Sequence, residues 1–115
     1  MTREIRFYKS YFIDFYIDQN QKVQEKIEYV FKLMRTVDRI PTKFLKHIEN
    51  TGGLYEIRIK SGSDIYRIFC CFDKGEIVIL FNAFQKKTQK TPIREIEKGL
   101  KLKQEYFQNN KGDKS

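Results

Sequence analysis

Between residues 54 and 84 the chain reads as three apolar runs separated only by turn residues, which leaves it few ways to fold. Residues 54–60, 64–72 and 76–84 are rich in Ile, Val, Phe and Tyr. Runs of this length and composition read as strands, and connections this short join antiparallel neighbours, so a three-stranded meander is predicted. Its first turn sets a register. In Lys60-Ser61-Gly62-Ser63-Asp64, glycine at the first central position suits a type II′ two-residue turn on Gly62-Ser63. That turn sets Ser61 opposite Asp64, Lys60 opposite Ile65, Ile59 opposite Tyr66 and Arg58 opposite Arg67.

Residues directly opposite share a face of the sheet. One face then carries Tyr55, Ile57, Ile59, Tyr66, Ile68 and Cys70, the material of a helix-covered core. The other carries Glu56, Arg58, Lys60 and Arg67. Like charges directly across a strand pair cost a few tenths to about 1 kcal/mol, so Arg58 against Arg67 is not expected for the fold's own sake. An anion between them turns the cost into a binding site, because a guanidinium matches phosphate oxygens with two parallel bonds. The competing reading is a surface network in which Glu56 or Asp64 pairs off one arginine.

The third run adds to the same face in one of two registers. A two-residue turn at Lys74-Gly75 places Asn82 opposite Arg67, with Phe84 next on that face. A loop of Asp73-Lys74-Gly75, with Gly75 in a bulge, puts Phe81 there instead. The first is preferred, because it sets the strand's polar residue on the polar face. Beyond lies Gln85-Lys86-Lys87-Thr88-Gln89-Lys90, a basic loop rich in amides and hydroxyls that runs into a helix start at Thr91-Pro92. It reads either as a phosphate cradle or as a solvated charge run. Phe69 and Phe84 read either as faces on which unstacked bases lie or as core.

Before this meander, residues 3–8 alternate in the manner of a half-buried strand. Ser10 offers a helix cap ahead of Phe12, Phe15 and Tyr16, and Asn20 a second cap ahead of Val23, Ile27, Val30, Phe31, Met34 and Val37, which predict a long amphipathic helix to about Arg39. Pro41 opens a short helical piece with Phe44, Leu45 and Ile48, broken at Thr51-Gly52-Gly53. Ile93, Ile96, Leu100 and Phe107 mark a last helix. The order β-α-α-β-β-β-α predicts an α+β fold: one domain over residues 1–108, a four-stranded antiparallel or mixed sheet with the N-terminal helices packed on one face and a C-terminal helix, and a disordered tail at 109–115.

The chain has 115 residues, room for one core without disulfide or metal staples, and a net charge of +8. Such a basic balance points to a polyanionic partner. No apolar run approaches twenty residues, and neither a leader pattern nor a lipidation motif follows Met1, so no membrane partner is expected. Cys70 and Cys71 are neighbours in a strand and point to opposite faces, which predicts two buried thiols in a reducing cytoplasm and no bridge. No second Cys/His pair accompanies them, and no metal or cofactor is expected. His47, the sole histidine, reads as a surface residue.

Three blocks in order carry a resemblance: Leu54-Tyr55-Glu56-Ile57-Arg58, then Ile65-Tyr66-Arg67-Ile68-Phe69, then residues 84–92, Phe-Gln-Lys-Lys-Thr-Gln-Lys-Thr-Pro. Over about residues 50–105 the chain resembles the phage-derived, HigB-like branch of the RelE/ParE toxin superfamily. The resemblance implies a type II toxin, held inactive by a helix-turn-helix antitoxin, that acts on mRNA in the ribosome without metal. By family position, Arg58 and Arg67 fit phosphate stabilisation. Lys86 and Lys87 fit backbone binding or proton transfer, and Glu56 or Lys60 the base; Thr88, Gln89, Lys90, Asn82, Phe84 and Phe69 complete the expected RNA contacts. The tail after Phe107 holds no His or Tyr, so the acid that some relatives carry there has no counterpart. The superfamily also contains gyrase inhibitors of the ParE type that cut no RNA, and that reading stays open beside the endoribonuclease.

Overall fold

The structure, a computed structural model, describes residues 2–112. Its elements run β1 (Glu4–Phe7), α1 (Tyr11–Ile17), α2 (Gln21–Thr36), β2 (Leu45–His47), β3 (Tyr55–Ser61), β4 (Asp64–Asp73), β5 (Ile77–Lys86) and α3 (Ile93–Gly112). The five strands form one mixed sheet in the order β1-β5-β4-β3-β2. β1 is parallel to β5, and the other pairs are antiparallel. Among the described residues, no helix is long and apolar enough to cross a membrane.

The α+β class holds, and the sheet has one strand more than the pattern predicts. The extra strand is β2, where a helical piece is expected. Pro41 does start one turn, its carbonyl accepting from the Phe44 and Leu45 amides. An available sheet edge then takes over: Leu45, Lys46 and His47 pair with Ile57, Glu56 and Tyr55, and the Phe44 carbonyl accepts from the Arg58 amide at 2.8 Å. Local helical preference loses to backbone pairing that no local window reveals.

α2 also stops short of the expected Arg39. Asn20 caps its start, the side-chain oxygen accepting from the Val23 amide at 3.0 Å. At its end Val37 turns to extended backbone. The Arg3 guanidinium, from far upstream, donates to the carbonyls of Met34, Val37 and Asp38 at 2.6–2.8 Å. It satisfies acceptors that a helix end leaves open. α2 buries Val23, Ile27, Val30, Phe31 and Met34 against the sheet; each such side chain contributes about 1.5–3 kcal/mol of transfer free energy.

The N-terminal helices share one face, as expected, and the C-terminal helix takes the opposite one. α1 and α2 cover the face of Ile57, Ile59, Tyr66, Ile68 and Cys70. α3 lies on the other, over Leu54, Phe69, Cys71, Ile79 and Phe81. Gly99 allows this approach: a Cβ there would stand 2.8 Å from Phe69 Cδ2 and 3.1 Å from Leu54 Cδ2. The helix continues through 109–112, where a tail is expected; residues 113–115 lie outside the described ones.

Candidate functional site

The β3–β4 register is the one the turn predicts, with Arg58 opposite Arg67, Lys60 opposite Ile65 and Ser61 opposite Asp64. Gly62 has φ +62°, and Ser63 stays out of the left-handed region, as a type II′ turn requires.

The β4–β5 register matches neither expectation. Asp73 pairs with Ile77 across Lys74-Gly75-Glu76, with both Lys74 (φ +55°) and Gly75 (φ +79°) left-handed. Further along, Ile68 pairs with Ala83 and Cys70 with Leu80, so Phe69 faces two residues, Phe81 and Asn82. This bulge reverses the alternation of β5. Ile79 and Phe81 before it, and Phe84 after it, all turn toward α3. Phe84, not Asn82, therefore stands opposite Arg67.

Outside the edge of α3, the exposed part of this face has two rows. Lys60, Ile65 and Lys86 lie side by side; below them lie Arg58, Arg67 and Phe84. Glu56 and Phe69 form the next row, at the boundary with α3. The Glu56 carboxylate sits between the arginines, with Oε2 3.3 Å from Arg58 Nε and 3.6 Å from Arg67 Nε. Arg58 is half-buried. Arg67 is only 6% exposed, and although one of its Nη groups donates to the Tyr66 carbonyl, its Nε has no hydrogen-bond partner. Burial lowers the Arg67 pKa from its ordinary value; Glu56 pulls it back up, and Arg58 pushes it down. A guanidinium keeps its proton at neutral pH regardless, so the pair is a fixed positive locus.

The arginines open into a groove of about 460 Å³, lined on one side by Arg58, Lys60, Ile65 and Arg67 and on the other by Lys26, Lys43 and Phe44. A second groove, of about 520 Å³, shares Ile65 and continues along Lys86, Lys87, Thr88 and Gln89. Lys90 is exposed beyond it, its carbonyl accepting from the Thr88 hydroxyl at 2.7 Å. The structure thus brings together Glu56, Arg58, Lys60, Arg67, Phe84 and Lys86, with Lys87, Thr88 and Gln89 alongside.

Two expected RNA contacts fall elsewhere. Phe69 is fully buried beneath α3 and packs edge-to-face on Phe84 at 5.3 Å, so it is core. Asn82 is 2% exposed; its amide donates to the Glu95 backbone and side-chain oxygens at 3.1 and 3.0 Å and ties the sheet to α3. The bulge and the covering helix, neither of which the strand pattern shows, move both residues out of reach. His47 is exposed, edge-on to Tyr55 at 5.1 Å. Sequence reasoning missed Lys26, Lys43 and Phe44, which approach from α2 and the turn before β2. The one signal was Tyr29, an aromatic residue beside Lys26 but off the helix's apolar stripe.

Comparison with known proteins agrees with this architecture. Residues 15–104 match the family described as phage derived protein Gp49-like (DUF891). Among solved structures, RelE in the archaeal RelE-RelB complex from Pyrococcus horikoshii OT3 superposes with a TM-score of 0.54 at 17% identity, over 72% of this chain and 93% of that one. No curated protein sequence matches. The RelE-like fold and the phage-derived branch to which the three sequence blocks point are both borne out. The chain belongs to the phage-derived Gp49-like family.

Proposed function

We propose that this chain is the toxin of a type II toxin–antitoxin pair, a ribosome-dependent endoribonuclease that cuts mRNA in the cytoplasm without a bound metal. The observation that carries the reading is the Arg58–Arg67 pair, set side by side on one face of a RelE-like sheet, Arg67 buried and Arg58 half-buried, and bordered by lysine-lined grooves. The RelE neighbour was solved with RelB, which supports a proteinaceous antitoxin as partner.

The reaction suited to such a site is internal transesterification. The ribose 2′-oxygen attacks the adjacent phosphorus, the bond from phosphorus to the 5′-oxygen breaks, and a 2′,3′-cyclic phosphate and a 5′-hydroxyl result. A proton leaves the 2′-hydroxyl and another reaches the departing 5′-oxygen, while extra negative charge collects on the phosphorane oxygens. Arg58 and Arg67 hold that charge; pre-aimed cations are most effective where water is thin. Glu56, paired with both guanidinium groups, acts as a positioning residue that keeps them side by side. Lys60 and Lys86, in the row next to the arginines, are the groups in reach for proton transfer and for the flanking phosphates. Lys87, Thr88 and Gln89 extend the backbone track, and Phe84 offers the only half-open ring in the arginine row.

The test is primer extension on a translated and an untranslated copy of one transcript after the protein is expressed alone. Cuts within ribosome-occupied codons of the translated copy are expected. Equal cutting of both copies removes ribosome dependence, and intact mRNA with trapped DNA breaks replaces this reading with gyrase inhibition of the ParE type.

A further inference from the structure

We propose that the α2 side of the cleft binds a second, unpaired nucleotide of the RNA strand, with Lys26 and Lys43 holding its phosphates and Tyr29 stacking on its base. The inference rests on the RNA-cleaving reading and states where the strand runs.

β2 ends its pairing with β3 at Leu45 and Ile57, and beyond Arg58 the outer edge of β3 has no neighbouring strand among the described residues. The gap this leaves toward α2 is the 460 Å³ groove, within the roughly 300–1,000 Å³ of sites that hold small ligands. Five of its lining residues are cations (Lys26, Lys43, Arg58, Lys60 and Arg67) and none is acidic. A fold gains nothing from crowding like charges, whereas a polyanion does. Arg67 brings an independent sign of a ligand: it is more than nine-tenths buried, lines the groove, and its Nε makes no hydrogen bond, its contact with Glu56 Oε2 being an ion pair at 3.6 Å.

The far wall carries one aromatic residue, Phe44. Tyr29, 53% exposed, stands outside the lining and meets Phe44 edge-to-face at 6.3 Å, at the groove's rim. Lys26 Nζ lies 5.3 Å from the Tyr29 ring and Lys43 Nζ 5.4 Å from that of Phe44. Cations interleaved with exposed rings suit an unpaired strand, whose phosphates and base faces are both available; a duplex hides its base faces. Through Ile65 the groove continues into the one lined by Lys86 and Lys87, so the positive track passes both sides of the arginine pair, as a polymer needs and a free nucleotide does not.

The experiment measures fluorescence anisotropy of a labelled, uncleavable 2′-O-methyl RNA hexamer, single-stranded or annealed to its complement, with the purified full chain. Tyr29→Leu should weaken single-strand binding about 5- to 150-fold, the range for one missing stack, and leave duplex binding unchanged. Tyr29→Phe, which keeps the ring, should bind like wild type. Lys26→Gln/Lys43→Gln should lower the slope of log affinity against log salt by about 0.7 for each phosphate no longer neutralised. Unchanged single-strand binding in Tyr29→Leu and the lysine variant overturns the inference, even where wild type cuts mRNA on the ribosome. So does equal weakening of single strand and duplex, which is the mark of a backbone patch with no stacking. A wild type that cuts no mRNA but binds the hexamer through Tyr29 removes the proposed reaction and leaves this site standing.

Discussion

Arg58 lies directly opposite Arg67 across β3 and β4, and the two differ sharply in their access to solvent. The side chain of Arg58 is 33% exposed and that of Arg67 only 7%. Substitution should separate them. Under the proposed reaction, Arg58→Ala should remove a charge-assisted hydrogen bond to the phosphorane at a cost of about 2–4 kcal/mol, or roughly 30- to 1000-fold in cleavage rate. Its melting temperature should stay near wild type, since water already screens the group and a like-charge repulsion is relieved. Arg67 is better tested as Arg67→Lys, which keeps charge and stem but loses the planar fork. Cleavage should fall while the fold survives. The double variant should lose less than the sum in rate where both groups serve one phosphate, as the proposed reaction requires. Strict additivity would mean two separate phosphates.

Gly99 sets how close α3 can come to the sheet. In an exposed helix interior, glycine to alanine gains about 1 kcal/mol. Here the new methyl would meet Phe69, Leu54 and Asn82 at 2.8–3.3 Å, and Phe69 is fully buried and has nowhere to go. Overpacking costs about 1–3 kcal/mol. Gly99→Ala should therefore lower the urea midpoint. A higher midpoint would show that α3 is loosely seated.

Cys70 and Cys71 face opposite cores, one beneath α1 and α2 and one beneath α3. Burial pushes both thiols up, Cys71 from 9.0 to about 12. The folded chain thus keeps a proton that the unfolded chain gives up above about pH 9. The unfolded state then binds fewer protons, so stability is fully present below pH 9 and falls as pH rises toward 12. Urea titrations at pH 8 and pH 10.5 should show a smaller loss in Cys71→Ala than in wild type. Native protein at pH 8 should also resist thiol-reactive dyes.

What was legible in the sequence is what local chemistry decides. The β3–β4 register follows from Gly62, whose φ of +62° is cheap for glycine and costly for other residues. It carries Glu56, Arg58, Lys60 and Arg67 with it. The β4–β5 register depends on Lys74 adopting φ +55° and on the bulge at Phe81-Asn82, which a run of apolar residues does not announce. β2 exists because β3 offers it an edge, and α2 ends where Arg3 reaches its carbonyls. Lys26 and Lys43 are distant from Arg58 in the chain, on elements whose docking no spacing rule supplies.

Glu56 allows the sharpest test of whether the arginines form an anion site. The residue is 7% exposed, and its carboxylate lies within 3.6 Å of both guanidinium groups, so it is the nearest negative charge balancing them. Removing one partner of a buried ion pair costs about 3–5 kcal/mol, because the other is left uncompensated. Arg58 is partly hydrated, so about 1–3 kcal/mol is expected for Glu56→Gln, which keeps the shape and removes the charge. The rescue is the informative step. If the cleft is built for phosphate, a phosphate ion should take up the charge balance that Glu56 no longer provides. Ligand binding to the folded state stabilises by RT ln(1 + [L]/Kd), about 2.7 kcal/mol at a hundredfold excess over Kd. Melting in phosphate and in chloride at matched ionic strength and pH should therefore differ more for Glu56→Gln than for wild type. The extra shift should vanish in Glu56→Gln/Arg58→Ala. Equal melting of Glu56→Gln in the two salts would mean that the guanidinium pair does not hold phosphate, and the proposed chemistry would lose its centre.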